Sequence, residues 1–235
     1  MTPGRTIVVT GVGRTGQVGE AIARAFAADG ATLFLIARSL EDAEARAADL
    51  RSDGAVAWPF ACDLTDAGAV ARVAQEVLEK GGGIDALINV AGGFAMSGPV
   101  ATSEPTVLSG QIALNLTTCY NATRAFLPCL RKSRGSVVFF ASASALPGAR
   151  VKEMSAYAIA KSGVIALMRA VAQEERGNGV RSNAVAPGSI RTATNLAAMD
   201  PATKYVERES VAAVVRFLCS DAAANVSGQV FELSP

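Results

Sequence analysis

The stretch TGVGRTGQVGEAIA occupies Thr10–Ala23, between an apolar run and an alanine-rich amphipathic run. Gly11, Gly13 and Gly16 spell the pattern G-x-G-x-x-G within it. Glycines in this arrangement permit a tight turn and let backbone N–H groups approach a pyrophosphate at a helix N-terminus. The pattern is weak by itself, but a strand before it and a helix after it favour a dinucleotide site.

A Walker phosphate-binding loop is the alternative for the same stretch. Gly11 and Gly16 have the spacing of such a loop. Gln17 and Val18, however, stand where that loop requires lysine and then serine or threonine. The Walker interpretation is therefore disfavoured.

Short β-rich runs alternate with longer amphipathic runs along the whole chain. The predicted strands are Thr6–Thr10, Thr32–Ala37, Val56–Ala61, Ala86–Asn89, Ser136–Ala141, Arg181–Val185 and Gln229–Leu233. The predicted helices are approximately Gly19–Asp29, Leu40–Ser52, Ala67–Lys80, Glu104–Lys132, Ser155–Arg176 and Glu207–Ser220. This alternation predicts βαβ crossovers, and hence a doubly wound parallel sheet with helices on both faces. No repeat, charge block or linker divides the sequence, so we expect one α/β domain over residues 1–235.

The composition excludes several classes of function. The 235 residues are 50% hydrophobic, carry a formal net charge of +1 and include no histidine. The near-balance of charge leaves no electrostatic footprint for nucleic acid or for an anionic membrane. The lack of histidine removes Ser-His-Asp and Cys-His nucleophiles and histidine-ligated zinc, and we expect no metal site. If the protein is an enzyme, its proton chemistry must depend on another residue.

The beginning of the chain and its cysteines indicate the compartment. An apolar strand begins almost at once after MTPGR, which leaves no room for a signal peptide. Apolar runs such as Val137–Ala141 are far shorter than the roughly 18 residues that a membrane span needs. The four cysteines are widely spaced and form no C-x-x-C pair. We therefore expect reduced thiols in a cytoplasmic protein.

The end of the second predicted strand bears on the choice of cofactor. A carboxylate at this position would hydrogen-bond an adenosine ribose 2′-hydroxyl, but Ala37 stands there and Arg38 follows. Arg38, with help from Arg14 in the glycine loop, could instead pair with a 2′-phosphate. A solvated arginine at a strand end is the simpler alternative. We predict a preference for NADP(H), with NAD(H) possible, and disfavour S-adenosylmethionine.

Tyr157 and Lys161 stand four residues apart in SAYAIAK, so they lie on one face of a predicted helix. A free phenol has a pKa of about 10 and needs a stabilised anion to ionise near neutral pH. An ammonium one helical turn away, in a partly dry cleft, could supply that stabilisation. Taken alone, such a pair is more often part of an ordinary helix surface.

Eight segments carry a family resemblance that spans nearly the whole chain. In order they are Thr10–Gly19, CDLTD (62–66), NVAGG (89–93), ALNLT (113–117), ASAS (141–144), YAIAK (157–161), NAVAPGSIRT (183–192) and FLCSDAAANVSGQV (217–230). Each segment is modest, but the ordered set is highly specific. The chain resembles the short-chain dehydrogenase/reductase family and is similar to its 3-oxoacyl-[acyl-carrier-protein] reductases. The resemblance implies a seven-stranded sheet in the order 3-2-1-4-5-6-7.

The resemblance also implies a catalytic set. Tyr157 would be the general acid in carbonyl reduction and the base in alcohol oxidation, and Lys161 would lower its pKa. Ser142 would hydrogen-bond the substrate oxygen, and Asn115 would hold the water chain that returns protons to solvent. Ser144 is an alternative to Ser142, because the count back from Tyr157 favours Ser144 while the strand register favours Ser142.

Further residues are implied to bind the cofactor. Asp63 would contact the adenine, Asn89 would brace the cofactor's strand, and Lys161 would hydrogen-bond the nicotinamide ribose. Ile190 and Thr192 would contact the carboxamide. The expected cofactor-binding set is Gly11, Gly13, Arg14, Gly16, Val18, Arg38, Asp63, Leu64, Asn89, Ala91, Gly92, Tyr157, Lys161, Pro187, Gly188, Ile190 and Thr192.

The sequence departs from the family pattern in two places that concern the site. The glycine loop is two residues longer than usual and takes Gly19 as the residue before the EAIA helix. This length is closer to that of enoyl-carrier-protein reductases, but those have six residues between the tyrosine and lysine, and this chain has three. The segment between Thr192 and Val211 is short, which predicts an open substrate site.

These observations predict an NADP-dependent oxidoreductase that interconverts a ketone and a secondary alcohol, possibly a 3-oxoacyl thioester. Relatives pair through the helices that correspond to Glu104–Lys132 and Ser155–Arg176, so a homo-oligomer, a tetramer or a dimer, is expected. One alternative is a non-catalytic dinucleotide sensor or scaffold of the same fold. Another is a methyltransferase-like domain, which Ala37 and the ordered segments disfavour.

Overall fold

The strands form at short runs of β-branched, aromatic and other apolar residues, which suit a sheet buried on both faces. The structure is a computed structural model that describes residues 4–235; the first three residues of the predicted domain lie outside the described residues. The strands are β1 (Thr6–Thr10), β2 (Thr32–Ala37), β3 (Val56–Ala61), β4 (Ala86–Asn89), β5 (Ser136–Phe140), β6 (Arg181–Pro187) and β7 (Val230–Leu233). They form one parallel sheet in the order β3-β2-β1-β4-β5-β6-β7, which confirms the predicted order.

Eight α-helices lie between the strands in the described part of the chain. They are α1 (Val18–Ala28), α2 (Leu40–Ser52), α3 (Ala67–Gly81), α4 (Pro105–Ile112), α5 (Thr118–Ser133), α6 (Ser155–Glu174), α7 (Ala193–Ala198) and α8 (Arg208–Cys219). The side chains of Ser39 and Asp66 accept backbone N–H groups at the starts of α2 and α3. Such side chains satisfy N–H groups that have no partner inside the helix, which defines where α2 and α3 begin.

Two predicted boundaries differ from the structure. The single helix expected over Glu104–Lys132 is three helical segments, because the π-helical turn Ala113–Thr117 separates α4 from α5. Helix α7 was not predicted, since six residues are too few to display a helical period. The π-helical turn contains Asn115, and π-turns inside α-helices often occur at functional sites.

The core has one layer on each face of the sheet, because successive side chains of a strand point to opposite faces. On one face, Val8 and Phe139 pack with residues of α3, α5 and α6 such as Phe126. On the other face, Ile7 packs with residues of α1, α2 and α8 such as Ile22. This arrangement confirms the prediction of helices on both faces.

Helix α6 is the one helix among residues 4–235 whose length and hydropathy would suffice to cross a membrane. Its buried residues Val164, Ile165 and Met168 belong to the core beneath the sheet. The apolar composition of α6 is therefore accounted for by packing against the sheet, and the same helix carries Tyr157 and Lys161 at its first two turns.

Candidate active site

The loop after β1 is folded tightly against the loop after β4. Gly11 has φ +74°, and a Cβ there would lie 2.7 Å from the backbone nitrogen of Ala91. A Cβ on Gly19, in the first turn of α1, would lie 2.7 Å from the carbonyl oxygen of Gly11. Glycine at both positions lets the turn and the helix approach more closely than any side chain would permit. The Thr10 hydroxyl accepts the N–H groups of Val90 and Ala91, which binds the two loops together.

Two residues of the glycine loop, Gly16 and Gln17, contact the segment after β6. Gly16 also has φ +74°, and its carbonyl oxygen accepts the Ala193 N–H at 2.9 Å. The Gln17 amide donates to the Thr194 hydroxyl at 3.0 Å. On the other side, the Glu20 carboxylate accepts the Gly16 N–H. The longer loop therefore joins the start of α1 to the start of α7.

Two exposed arginines are candidates to bind a phosphate: Arg38 directly after β2 and Arg14 in the loop after β1. Ala37 is the last residue of β2, and both Arg38 and Arg14 are exposed. Neither arginine forms an ion pair with a carboxylate of residues 4–235. The pKa of Asp63 is lowered mainly by hydrogen bonds from the Thr65 hydroxyl and amide, and in smaller part by the charge of Arg38. Arg38 and Asp63 thus lie near one another at this edge, as the expected cofactor set requires.

The end of β4 supplies a buried amide and a closely packed glycine. Asn89 donates to the Thr123 hydroxyl at 3.0 Å, while its Oδ1 has no hydrogen-bond partner within residues 4–235. A Cβ on Gly92 would lie 2.6 Å from Oδ1 of Asn115 and 3.4 Å from Nζ of Lys161. Gly92 is therefore required for the approach of the β4 loop to these two residues.

Asn115 is fully buried and is held by its neighbours through both ends of its amide. Its Oδ1 accepts the Gly93 N–H at 3.1 Å, and its Nδ2 donates to the Gly93 carbonyl oxygen at 2.9 Å. The same Nδ2 lies 3.1 Å from the side-chain oxygen of Gln111. The π-helical turn thus fixes the β4 loop through its one asparagine.

The two serines after β5 have different neighbours. The Ser142 hydroxyl interacts with the phenol of Tyr157 in the sense that lowers the phenol's pKa. Ser144 donates a hydrogen bond to the Ser142 hydroxyl at 3.0 Å. The interaction with the phenol favours Ser142 over Ser144 as the serine next to the reacting oxygen.

Tyr157 and Lys161 lie on the same face of α6, but their electrostatics differ from the expectation. Lys161 is buried, its Nζ donates to the Phe140 carbonyl oxygen at 2.7 Å, and it lies 5.8 Å from the centre of the Tyr157 ring. Burial raises the pKa of Tyr157, with Ser142 opposing the rise. Burial also lowers the pKa of Lys161 to about 8. The expected lowering of the Tyr157 pKa by Lys161 is absent here, because loss of water around the phenol outweighs the favourable contacts.

Sequence reasoning missed Phe94, which follows Gly93 in the β4 loop. Its ring lies 5.0 Å from the Tyr157 ring at an interplanar angle of 88°, an edge-to-face contact. The available signal was a lone aromatic residue in the glycine-rich and uncharged run after β4, but nothing in that run indicates which way the ring turns.

The segment after β6 is short but ordered. Gly188, directly after Pro187, donates to the Leu233 carbonyl oxygen at 2.9 Å. Ile190 pairs with Val206 in a parallel bridge. Thr192 is buried and caps α7, because its hydroxyl accepts the Asn195 N–H at 3.1 Å. This segment therefore brings Ile190 and Thr192 to the same edge of the sheet as the glycine loop.

Known proteins match this chain over most of its length. Residues 5–202 match the family described as short chain dehydrogenase. The chain is 35% identical over 238 residues to the meso-2,3-butanediol dehydrogenase of Serratia marcescens, across 95% of this chain and 90% of that protein. It is 30% identical over 239 residues to the 3-oxoacyl-[acyl-carrier-protein] reductase of Thermotoga maritima, across 97% of this chain and 95% of that protein.

The structure of levodione reductase shares the fold with a TM-score of 0.88 and 30% identity, across 98% of this chain and 96% of that one. These matches extend over both halves of the sheet and over every loop that forms the site. The chain therefore belongs to the short-chain dehydrogenase/reductase family, and it is an NAD(P)-dependent oxidoreductase that acts on CH–OH and C=O groups.

Proposed function

We propose that the protein uses NADP(H) to interconvert a ketone and a secondary alcohol, with Tyr157 as the proton donor in reduction and the acceptor in oxidation. The observation that carries this proposal is the grouping of Tyr157 with the Ser142 hydroxyl, which interacts with the phenol, and with the buried ammonium of Lys161, 5.8 Å from the centre of the Tyr157 ring. A hydroxyl, a phenol and a cation in one site can polarise a carbonyl and protonate its oxygen.

The residues at the carboxyl edge of the sheet fit a dinucleotide. At Gly11 and Gly92 the backbone packs so closely against its neighbours that a Cβ would not fit. The loop between β1 and α1 also offers backbone N–H groups at a helix N-terminus. The residues proposed to hold it are Gly11, Gly13, Arg14, Gly16 and Val18 from the first loop, Arg38, Asp63, Leu64, Asn89, Ala91 and Gly92 from the next three, Tyr157 and Lys161 from α6, and Pro187, Gly188, Ile190 and Thr192 from the last. When bound, the nicotinamide ring gives or accepts the hydride.

The preference for NADP(H) over NAD(H) rests on Arg38 and Arg14. Both guanidinium groups are exposed and unpaired within residues 4–235, and a guanidinium matches the geometry of a phosphate. Arg38→Ala should weaken NADPH binding by about 10- to 100-fold, as for loss of a hydrogen bond to a charged group, with little change for NADH. Arg176→Ala, also exposed but far along the chain in the turn after α6, is the matched control. Equal effects on NADPH and NADH would contradict the preference.

The raised pKa of Tyr157 suits a proton donor. At neutral pH the phenol stays protonated, so it can give its proton to the carbonyl oxygen as the alcohol forms. Ser142 donates a hydrogen bond to the same oxygen and, in the reverse direction, to the alcohol. Lys161, with a pKa of about 8, is mostly charged at pH 7 and would donate a hydrogen bond to the nicotinamide ribose. Asn115, which binds both backbone groups of Gly93, would hold the water chain that returns protons to solvent.

Replacement of Tyr157 by phenylalanine tests this function. The variant keeps the ring and its contact with Phe94 but loses the proton, so kcat for ketone reduction should fall by about 10²- to 10⁴-fold. NADPH binding, followed by the fluorescence of the bound nucleotide, should persist. Turnover that survives nearly intact contradicts the role of Tyr157. NADPH binding without turnover of any ketone by the unmodified protein would favour the sensor or scaffold alternative.

We also propose a homo-oligomer in the cytoplasm. Apolar side chains are exposed on α4, α5, α6 and the π-helical turn, namely Leu108, Leu114, Tyr120 and Ile159. Such side chains would be covered in an interface between copies of the chain. The cysteines Cys62, Cys119, Cys129 and Cys219 are all free and buried, which supports a reducing compartment. Light scattering of the purified protein measures the oligomeric state, and a monomer at micromolar concentration would contradict the proposed homo-oligomer.

A further inference from the structure

The access to Tyr157 is bordered by an exposed aromatic ring. Phe94 is 55% exposed even though its ring contacts the Tyr157 ring edge-to-face at 5.0 Å. Met96, two residues later, is 53% exposed. Large apolar side chains with half their surface free, next to the proposed proton donor, are available to contact a substrate rather than the core.

The loop that carries Phe94 is anchored at both ends. Asn115 binds both backbone groups of Gly93, directly before Phe94. On the far side, the Glu153 carbonyl oxygen accepts the N–H groups of Ser97 and Gly98 at 2.8 and 3.1 Å. Glu153 itself has φ +60°, a left-handed conformation that is unfavourable for a residue with a side chain. Hydrogen bonds thus hold the loop on both sides of Phe94, and the Phe94 ring forms a wall beside Tyr157.

Two stretches of chain beside the wall carry no charge. The sequence has no Asp, Glu, Lys or Arg between Ala86 and Ser103, nor between Gly135 and Ala149. In the segment after β6, the Arg191 guanidinium is paired with Glu207 at 2.7 Å and stacks 5.2 Å from the Tyr205 ring. The two uncharged stretches therefore offer no cation to a substrate phosphate, sulfonate or carboxylate; the exposed cations Arg150 and Lys204 lie outside them.

The polar groups of the same loops are already used. The Ser97 hydroxyl bonds the Glu153 carbonyl oxygen, and Ser144 bonds Ser142. The side-chain oxygen of Gln111 accepts from Asn115. A polyhydroxylated substrate would find few free partners here, and an unpaired buried hydroxyl or charge is unfavourable.

We propose that Phe94 is a specificity-determining residue and that the site takes an uncharged ketone, or the matching alcohol, whose carbonyl carbon bears an aryl group packed against Phe94. Two rings at this position can adopt the offset or edge-to-face contact that aromatic pairs prefer, and both lose contact with water. This inference rests on the proposed function of Tyr157, because it places the substrate carbonyl at that phenol.

Three ketones test the substrate class with the purified full-length protein and NADPH. Acetophenone is uncharged and aromatic, 4-acetylbenzoate adds one carboxylate to it, and dihydroxyacetone replaces the ring with hydroxyl groups. We expect kcat/KM for acetophenone to exceed that for each of the other two by at least about tenfold. A higher kcat/KM for 4-acetylbenzoate or dihydroxyacetone overturns this inference and leaves the proposed function standing. If none of the three ketones is reduced, both the substrate inference and the proposed function are overturned.

Variants of Phe94 test the residue itself. Phe94→Ala should lower kcat/KM for acetophenone by about tenfold, mainly through KM, and should leave that for dihydroxyacetone nearly unchanged. Phe217→Ala, which removes a 40% exposed ring on α8, is the control and should change neither. Phe94→Leu keeps the apolar volume and guards against a folding defect in the alanine variant. It should lower the ratio of kcat/KM for acetophenone to that for dihydroxyacetone by a smaller factor than Phe94→Ala does. An equal loss on both ketones, or an unchanged preference in both variants, overturns the role of Phe94.

Discussion

The ammonium of Lys161 donates a hydrogen bond to the carbonyl oxygen of Phe140 at 2.7 Å, in a position where only 5% of Lys161 is exposed. Burial of this charge lowers the pKa of Lys161 from 10.5 to about 8, with Cys119 opposing the shift. Burial has the opposite effect on Tyr157, whose pKa it raises. Both groups are therefore tuned mainly by the loss of water around them, and this determines how stability and activity should depend on pH.

Replacement of Lys161 by methionine should stabilise the protein at pH 7 while removing its activity. Because the pKa of Lys161 falls from 10.5 in the unfolded chain to about 8 in the folded protein, the folded state binds fewer protons between these values. The free energy of unfolding therefore rises as the pH increases from about 8 to 10.5. Below pH 8 the buried charge lowers the free energy of unfolding by about 3 kcal/mol. Methionine removes the charge but leaves the Phe140 oxygen without its donor, so we expect a net gain of about 2 kcal/mol in the free energy of unfolding at pH 7.

Urea denaturation of both proteins at pH 7 and pH 10 measures this effect. The difference in the free energy of unfolding between the variant and the wild type should be smaller at pH 10, because Lys161 of the folded wild-type protein is neutral there. A methionine variant that is less stable than the wild type at pH 7 contradicts a buried ammonium at this position.

The rate of ketone reduction should decline as the pH rises past about 8. With no histidine in the chain, the first group of the site to titrate above neutrality is Lys161, while Tyr157 remains protonated. The value of kcat/KM at saturating NADPH should be constant from about pH 6 to 7.5 and should fall by a factor approaching ten for each further pH unit. A profile with an inflection near pH 6.5, or with none below pH 10, would show that another group controls the rate.

The two serines after β5 should respond differently to alanine substitution. Ser142 interacts with the Tyr157 phenol, whereas Ser144 donates a hydrogen bond to the Ser142 hydroxyl. We expect Ser142→Ala to lower kcat by about 10²-fold, as for loss of a donor to a developing oxyanion, and Ser144→Ala to lower it by less than about tenfold. Steady-state kinetics with one ketone compares the two variants. A larger loss for Ser144→Ala reverses the assignment.

Gly16→Ala should weaken cofactor binding through the contact between the glycine loop and α7. Gly16 has φ +74°, and a Cβ there would lie 2.9 Å from the Cβ of Ala193. Gly30→Ala is a matched control, since Gly30 has φ +75° but nothing within 4 Å of an added Cβ. Both variants should lose about 1 kcal/mol of stability through the left-handed backbone. Only Gly16→Ala should also raise the Kd for NADPH, by about tenfold. Thermal unfolding measures the loss of stability, and nucleotide fluorescence measures the Kd. Equal Kd values for the two variants would contradict the role of the contact between Gly16 and Ala193.

Much of the architecture could be predicted from the order of apolar runs and glycines. All seven strands were correct, because the alternation of short apolar runs with amphipathic runs displays the buried strands and crossovers that a parallel sheet requires. The strand order, which the family resemblance implied, was also correct. The division of Glu104–Lys132 at Ala113–Thr117 was not predictable, because a π-turn adds one residue per turn without breaking the apolar pattern. Helix α7 was missed because its position depends on contacts with Gly16 and Gln17, which are distant in sequence.

The sequence by itself determined the type of fold, the loop suited to a dinucleotide, and the pairing of Tyr157 with Lys161 on one helix face. Each of these depends on residues near one another along the chain, where spacing translates directly into geometry. Only the tertiary structure decided that burial raises the pKa of Tyr157, that Ser142 interacts with its phenol, and that the Phe94 ring contacts the Tyr157 ring. Those properties depend on how much water surrounds a group and on which loops from different strands meet, and neither is encoded in any local spacing.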